Sequence, residues 1–325
     1  MGGTNQTDIQ QILLSGFQVP HSFKIPFFLL VLILYNATLT ANITIVGLVS
    51  SSPSLHHPMF FFLSHLSLSD IMLTTDIAPL MLHGILKGGV TTWTSACITQ
   101  LLFHGIAVTS ECLILTVMSY DRYLAICNPF HYVSIMCSNL QLSLVSLCWF
   151  VSFAMSLIPV VLISKMEFCG SHTINHFFCD FAPLLELSCS DTSLVELIDM
   201  VLAIPLSVFP VLFITITYMC IFNAILKIPT TTGRHKAFST CSSHLTTVTI
   251  FFGILVAVYI VPSNDISMSK IIISLIYTVV IPLFNPLIYS LRNQEVRSAL
   301  QKCLQRMVSY RGVRMRRLVL LRFFC

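Results

Sequence analysis

Two carboxylates stand where a carboxylate is expensive. Asp70 and Glu111 each fall inside a long apolar stretch, and a charge in hydrocarbon costs several kcal/mol unless it is paired or hydrated. No Lys or Arg lies in the middle of any such stretch. The pair therefore calls for a bound hard cation such as sodium, or for a proton on one carboxyl. Protonated acids bonded to Ser, Asn285 or water, with no ion, meet the same need. At about 1.5 Å per helical residue, Cys97 to Asp121 covers roughly 36 Å and leaves Glu111 roughly 15 Å short of the Asp121 end.

A second group lies on the same segment. Leu101, His104, Gly105, Val108, Thr109 and Cys112 follow the i, i+3, i+4, i+7 spacing of one helix face. Small and polar residues on one side of a greasy helix point inward. Matching faces run along Asp199, Leu202, Ala203 and Leu206; along Phe252, Leu255, Val256 and Tyr259; and along Ile271, Ser274, Leu275 and Thr278. Together they outline an apolar cavity with a few hydroxyls, the usual character of a small-molecule site. Tyr259, Thr109 and His104 are the expected polar contacts. Asp76 is a further acid without an assigned role.

The elements that carry these residues follow from composition. Of 325 residues 55% are hydrophobic and 9% charged, against about 25% charged in soluble domains. Crossing a bilayer takes about 20 apolar helical residues. Seven stretches qualify, near 26–50, 58–82, 97–120, 140–163, 196–226, 237–262 and 270–290. The expected fold is an all-α, seven-helix transmembrane bundle at residues 26–290, preceded by an extracellular segment 1–25 and followed by a cytoplasmic helix and basic tail, 291–325. Pro159, Pro205, Pro210, Pro282 and Pro286 predict kinks rather than breaks.

Cytoplasmic segments are enriched in Lys and Arg. With the N-terminus outside, 13 of the 17 basic residues fall on the cytoplasmic side, nine of them between Arg292 and Arg322. No removable signal peptide is read in the first 25 residues. Of three N-x-T triplets only the one at Asn5 lies outside the first span, so Asn5 is the expected glycosylation site. Four of the 12 cysteines, Cys97, Cys169, Cys179 and Cys189, fall on the outer side, where disulfides persist. Four cysteines allow three pairings. A bridge from Cys97 to the 164–195 loop would clamp that loop over the bundle, and its length marks it as a lid.

Six motifs in order then carry a resemblance: LSGF at 14–17, LHHPMFFFLSHLSLSD at 55–70, MSYDRYLAICNPFHY at 118–132, HFFCD at 176–180 with LSC at 187–189, KAFSTCSSHL at 236–245 and PLFNPLIYSLRNQEV at 282–296. From residue 12 to about 296 the chain resembles a vertebrate olfactory receptor of the rhodopsin-like, G protein-coupled class. The resemblance implies the bridges Cys97–Cys179 and Cys169–Cys189, and a sodium site at Asp70 and Glu111 near Asn285. It also implies an activation switch at Asp121, Arg122 and Tyr123, supported by Tyr218, Asn285, Pro286 and Tyr289. It implies a small, mostly apolar odorant, a stimulatory heterotrimeric G protein and cyclic AMP, in the plasma membrane, with lipid but no nucleic acid as partner.

The chain departs from the family pattern at several positions. It reads Ala41-Asn42 for Gly-Asn, MFFF for MYFF, MSYDRY for MAYDRY and FFG for FYG, places an acid at Asp76, and ends in a basic, apolar run from Arg311 to Cys325. That ending reads as a variant tail, an extension or a basic membrane-binding segment. Cys303 is a candidate for palmitoylation. No H-E-x-x-H or G-x-S-x-G occurs, which sets an intramembrane enzyme aside. A channel or transporter would need a repeat that is absent. A non-olfactory class A receptor for a small amine, with Asp76 or Asp199 as counter-charge, is the alternative.

Overall fold

The computed structural model describes residues 10–17, 19–169, 171–260 and 268–305, leaving aside the side chains at 236, 239, 240, 258–260, 268–270, 291 and 292. Asn5 and the tail beyond 305 lie outside the described residues. The long helices are α1 (His21–Ser51), α2 (Pro58–Lys87), α3 (Thr94–Cys127), α5 (Ser138–Ile163), α7 (Ser193–Leu226) and α8 (Thr231–Ile260). A further rod is composite: α9 (Met268–Leu275), a π-helical turn (Ile276–Val280) and α10 (Ile281–Arg292). Short α4 (Pro129–Ile135) and α6 (Phe181–Leu185) sit in connections, and residues 294–305 are again helical.

Six of the seven apolar stretches fall within one of these rods, and the seventh, 237–262, overlaps α8 up to Ile260, its last two residues lying outside the described residues; most of the helices overrun the stretches. Hydropathy marks only the part suited to hydrocarbon, whereas a helix continues until something ends it. α2 starts with Pro58 in its first turn and ends where Gly88 takes φ +80° and returns its N–H to the Gly84 carbonyl at 2.8 Å. α1 takes in His21 to Ile25, residues expected in the outer segment. Five helical segments are long and apolar enough to cross a membrane: α1, α3, α5, α7 and Ile271–Ser290. Together with family membership, established below, they make this a multi-pass membrane protein.

The rods close into a ring. α1 packs on α2 and α10, α2 on α3, α5 on α3 and α7, and α8 on α7 and α10. α3 is the axis: 56% of its most apolar window is buried, against 11% for α7. The usual inside–outside rule is inverted. Thr38, Asn42, Ser69, Asp70, Ser110, Glu111 and Asp121 are fully buried, while Phe23, Ile33, Phe150, Phe209 and Ile216 are exposed. A surface of that kind suits lipid rather than water.

Pro286 shows how the interior repairs itself. Proline has no N–H to give the carbonyl four residues back, and that carbonyl, on Pro282, instead receives Asn42 Nδ2 at 2.9 Å. α1 is thereby tied to α10 at the point where the α10 ladder is interrupted. Pro26, Pro79, Pro159, Pro205 and Pro210 also lie inside continuous helices.

Over the outer mouth lies a three-stranded sheet that the alternation pattern did not reveal: β1 (Gln11–Leu14) runs between antiparallel β2 (Val90–Trp93) and parallel β3 (Thr173–Ile174). Strands of two to four residues are too short to display a period. Phe17 continues the seal, stacking on Phe177 with ring centres 5.0 Å apart.

Candidate functional site

Cys97, in the first turns of α3, is bonded to Cys179, and Cys169 to Cys189, with Cα separations of 5.3 and 5.8 Å. The first bond pins the 164–195 loop to the axis of the bundle. Gln100, one turn on, reinforces it: its Nε2 donates to the Asp76 carbonyl at 2.8 Å and its Oε1 accepts the Cys179 N–H at 2.9 Å. The second bond folds the loop on itself, with Cys189 N–H donating to the Glu167 carbonyl at 2.9 Å.

Beneath this clamp is a cavity of about 240 Å³. From α3 it takes Leu101, His104, Gly105, Val108, Thr109 and Cys112; from α7, Asp199, Leu202, Ala203, Leu206 and Ser207; from α8, Leu255. Seven lining residues were not found from the sequence: Met155, Ser156, Pro159 and Val160 of α5, Ser207 of α7, and Asp180 and Phe181 of the loop. α5 had a usable signal: Cys148, Ser152 and Ser156 recur every four residues and lie on its buried side. Asp180 had one too, because it adjoins the cysteine that the bridge carries to the cavity mouth.

Six expected residues do not line this cavity, Ile271 and Ser274 of α9 among them. Val256 is exposed at 52%, on the outer surface of the bundle beside the correctly placed Leu255. Phe252 packs edge-on against Phe251 in the central core. Thr278 is fully buried in the π turn, its hydroxyl donating to the Ser274 carbonyl at 2.8 Å, and Leu275 packs on the central core. Each was assigned by assuming an ideal helical face; the π turn at Ile276–Val280 breaks that face for Thr278, and on α8 neighbours such as Leu255 and Val256 stand about 100° apart. The Tyr259 side chain lies outside the described residues. Asp76 faces a separate recess between α2, β2 and α3, with His83 and Trp93.

Deeper, Asn285 Nδ2 donates to both Asp70 oxygens, at 3.0 and 3.1 Å. Glu111 interacts directly with Asp70, is fully buried, and neither of its oxygens receives a hydrogen bond. Beside them Ser69 and Ser110 join hydroxyls at 2.8 Å.

At the far end of α3, Arg122 is ion-paired to Asp121, Nε to Oδ2 at 3.0 Å, and Tyr132 of α4 donates its hydroxyl to the other oxygen at 2.8 Å. Burial and the Asp121 carboxylate push the Tyr132 phenol well above its ordinary range, so it remains a donor. Tyr123 packs against Ile221, Ile225 and Cys241. His244 lies between Tyr218 Oη at 2.6 Å and the Leu115 carbonyl at 3.1 Å. A carbonyl only accepts, so Nε2 carries the proton and Nδ1 accepts from Tyr218. Tyr289 is fully buried nearby and interacts with Thr247.

With a clamped cavity at one end of α3 and an acid–arginine pair at the other, the arrangement can be compared with known proteins. The olfactory receptor family model matches residues 30–307. The chain belongs to the olfactory receptor family. It is 44% identical to Olfactory receptor 6B2 of Homo sapiens over 305 residues, 94% of this chain and 98% of that protein. Olfactory receptor 226 of Rattus norvegicus is 43% identical over 91% of this chain and 92% of its own length. Olfactory receptor 5P52 of Mus musculus is 40% identical over 95% and 100%. Membership makes the chain a receptor rather than an enzyme and sets aside the non-olfactory alternative.

Proposed function

We propose that this receptor binds a small odorant in the cavity below the clamped loop and activates a stimulatory, olfactory-type heterotrimeric G protein, raising cyclic AMP. One observation carries the reading: cavity and ion pair share a rod. His104 and Arg122 lie 18 residues apart on unbroken α3, about 27 Å at 1.5 Å per residue. A ligand shifts such a bundle only by binding one of its states better than the other. The Asp121–Arg122–Tyr132 contacts hold one state, and their release would free Arg122 for the G protein.

In the same reading all seven rods span the plasma membrane, with the N-terminus outside. α2 and α8 have 30 residues each, about 45 Å of helix and enough to cross. The paired cysteines gather at one end of the bundle, and 13 of 17 basic residues lie in segments assigned to the other. Asn5 is the proposed glycan site on the outer side.

Arg122→Ala should leave surface expression intact and abolish the cyclic AMP response to any activating odorant from a broad panel of volatiles, acids and amines. A fully signalling variant would remove Arg122 from the switch. The buried carboxyl pair, with Glu111 oxygens lacking any donor, fits a hard monovalent cation held by Asp70 and Glu111 beside Asn285; bound there, sodium would offset one carboxylate charge, and a proton on the other carboxyl would complete the balance. Glu111→Gln should alter the sodium dependence of signalling. Identical responses in sodium and in a large organic cation, for both wild type and variant, would count against the ion.

A further inference from the structure

The cavity is less neutral than its apolar helices suggest. Two of its lining residues are acids, Asp199 on α7 and Asp180 on the loop, and none is Lys or Arg. The two carboxyls are near enough to act on each other electrostatically, and Asp180 also acts on His104. Among the described residues the ion pair of Arg122 with Asp121 is the one Lys or Arg pairing found, so neither cavity acid is neutralised by a side chain. Asp180 gives one oxygen to the Phe181 N–H at 2.8 Å, capping α6, while Asp199 has no hydrogen-bond partner among the described residues. His104 supplies the independent sign of a missing partner: it lines the cavity, and its Nδ1 is buried and makes no hydrogen bond.

Acceptors without donors define the complementary ligand. A carboxylate accepts only, and an imidazole with its proton on Nε2 accepts at Nδ1. A primary ammonium offers three N–H donors and a positive charge. Leu101, Val108, Leu202, Leu206 and Leu255 supply apolar wall for a hydrocarbon body, and about 240 Å³ is below the range of ordinary drug-sized sites. We propose that the odorant class of this receptor is small aliphatic primary amines, bound as ammonium ions between Asp180, Asp199 and His104 with the chain along the leucines. This deepens the functional reading above and rests on it for the location of the ligand, not for the signal it produces.

The test uses the full-length receptor purified in lipid nanodiscs and three probes sharing one carbon chain, hexylamine, hexan-1-ol and hexanoic acid, with thermal stabilisation of the receptor as readout. Charge-assisted hydrogen bonds exceed neutral ones by enough to predict half-maximal stabilisation by the amine at about tenfold lower concentration or better. Asp199→Asn should erase that preference while leaving the alcohol unchanged, and Asp199→Glu should restore part of it. An amine no better than the alcohol, a preference surviving Asp199→Asn, or no stabilisation by any of the three would overturn the proposal. Cyclic AMP in cells separates this from the broader reading. An amine that stabilises the protein yet raises no cyclic AMP speaks against the coupling alone, and an alcohol that signals as well as the amine speaks against the amine class alone.

Discussion

The two ends of α3 carry comparable numbers of buried polar groups and treat them in opposite ways. At the Arg122 end nearly every one has a partner: Asp121 takes Arg122 on one oxygen and Tyr132 on the other, and His244 is used at both nitrogens. At the cavity end the half-buried Asp199 has no hydrogen-bond partner among the described residues, and the buried His104 Nδ1 makes no hydrogen bond. A buried polar group without a partner loses about 1–3 kcal/mol relative to a satisfied one. One end is therefore closed by its own residues, and the other is left for an outside molecule to complete. What holds the unfinished end in shape is covalent, and what holds the finished end is reversible.

That contrast can be broken most severely at the clamp. Cys97 and Cys179 are 82 residues apart, and Cys169 and Cys189 are 20 apart; in the chain-entropy account closing such loops stabilises by about 4.5 and about 3 kcal/mol. Cys97→Ser should therefore cut surface expression more than Cys169→Ser, as read by flow cytometry on unpermeabilised cells. Equal expression of the two would show that the shorter hairpin, not the link to α3, maintains the outer end.

A smaller effect is expected where α3 and α5 meet at the cavity. A Cβ on Gly105 would stand 2.8 Å from Ser156 Oγ and 3.1 Å from its Cβ. The hydroxyl can rotate away but the Cβ cannot, so the helices must part, at a cost of about 1–3 kcal/mol. Gly105→Ala should lower the melting temperature and weaken ligand potency; an unchanged melt would mean that the two helices slide freely. The mildest intervention is at the closed end. Tyr132→Phe removes one hydrogen bond of about 1 kcal/mol, so ligand-independent cyclic AMP should rise roughly fivefold. No rise would place Tyr132 outside the restraint on Asp121.

The sequence displayed the rods well because their signal is long. A run such as Phe27 to Tyr35 need only be apolar to be seen, and lipid does not ask for a particular face. It displayed the cavity unevenly. α3 has an inward stripe since small and polar residues interrupt it, and all six of its predicted positions line the cavity. α7 contributed Leu202 and Leu206 by the same spacing. Met155, Ser156 and Pro159 were missed although Cys148, Ser152 and Ser156, four residues apart, mark the buried side of α5, and Thr278 lies in a π turn that no residue type announces. Asp180 was the costliest omission, since it reaches the site through a bond between residues 82 positions apart and not through any local pattern.

The sheet at the mouth places its first strand, Gln11–Leu14, between partners at Val90–Trp93 and Thr173–Ile174. Chains are made from the amino end, and pairing across a long separation waits until the later partner exists. Gln11–Leu14 therefore waits through α1 and α2 for its first partner and through α3 and α5 for its second. The sheet is completed only when Thr173 arrives, so one small roof over the cavity joins segments separated by about half the length of the chain.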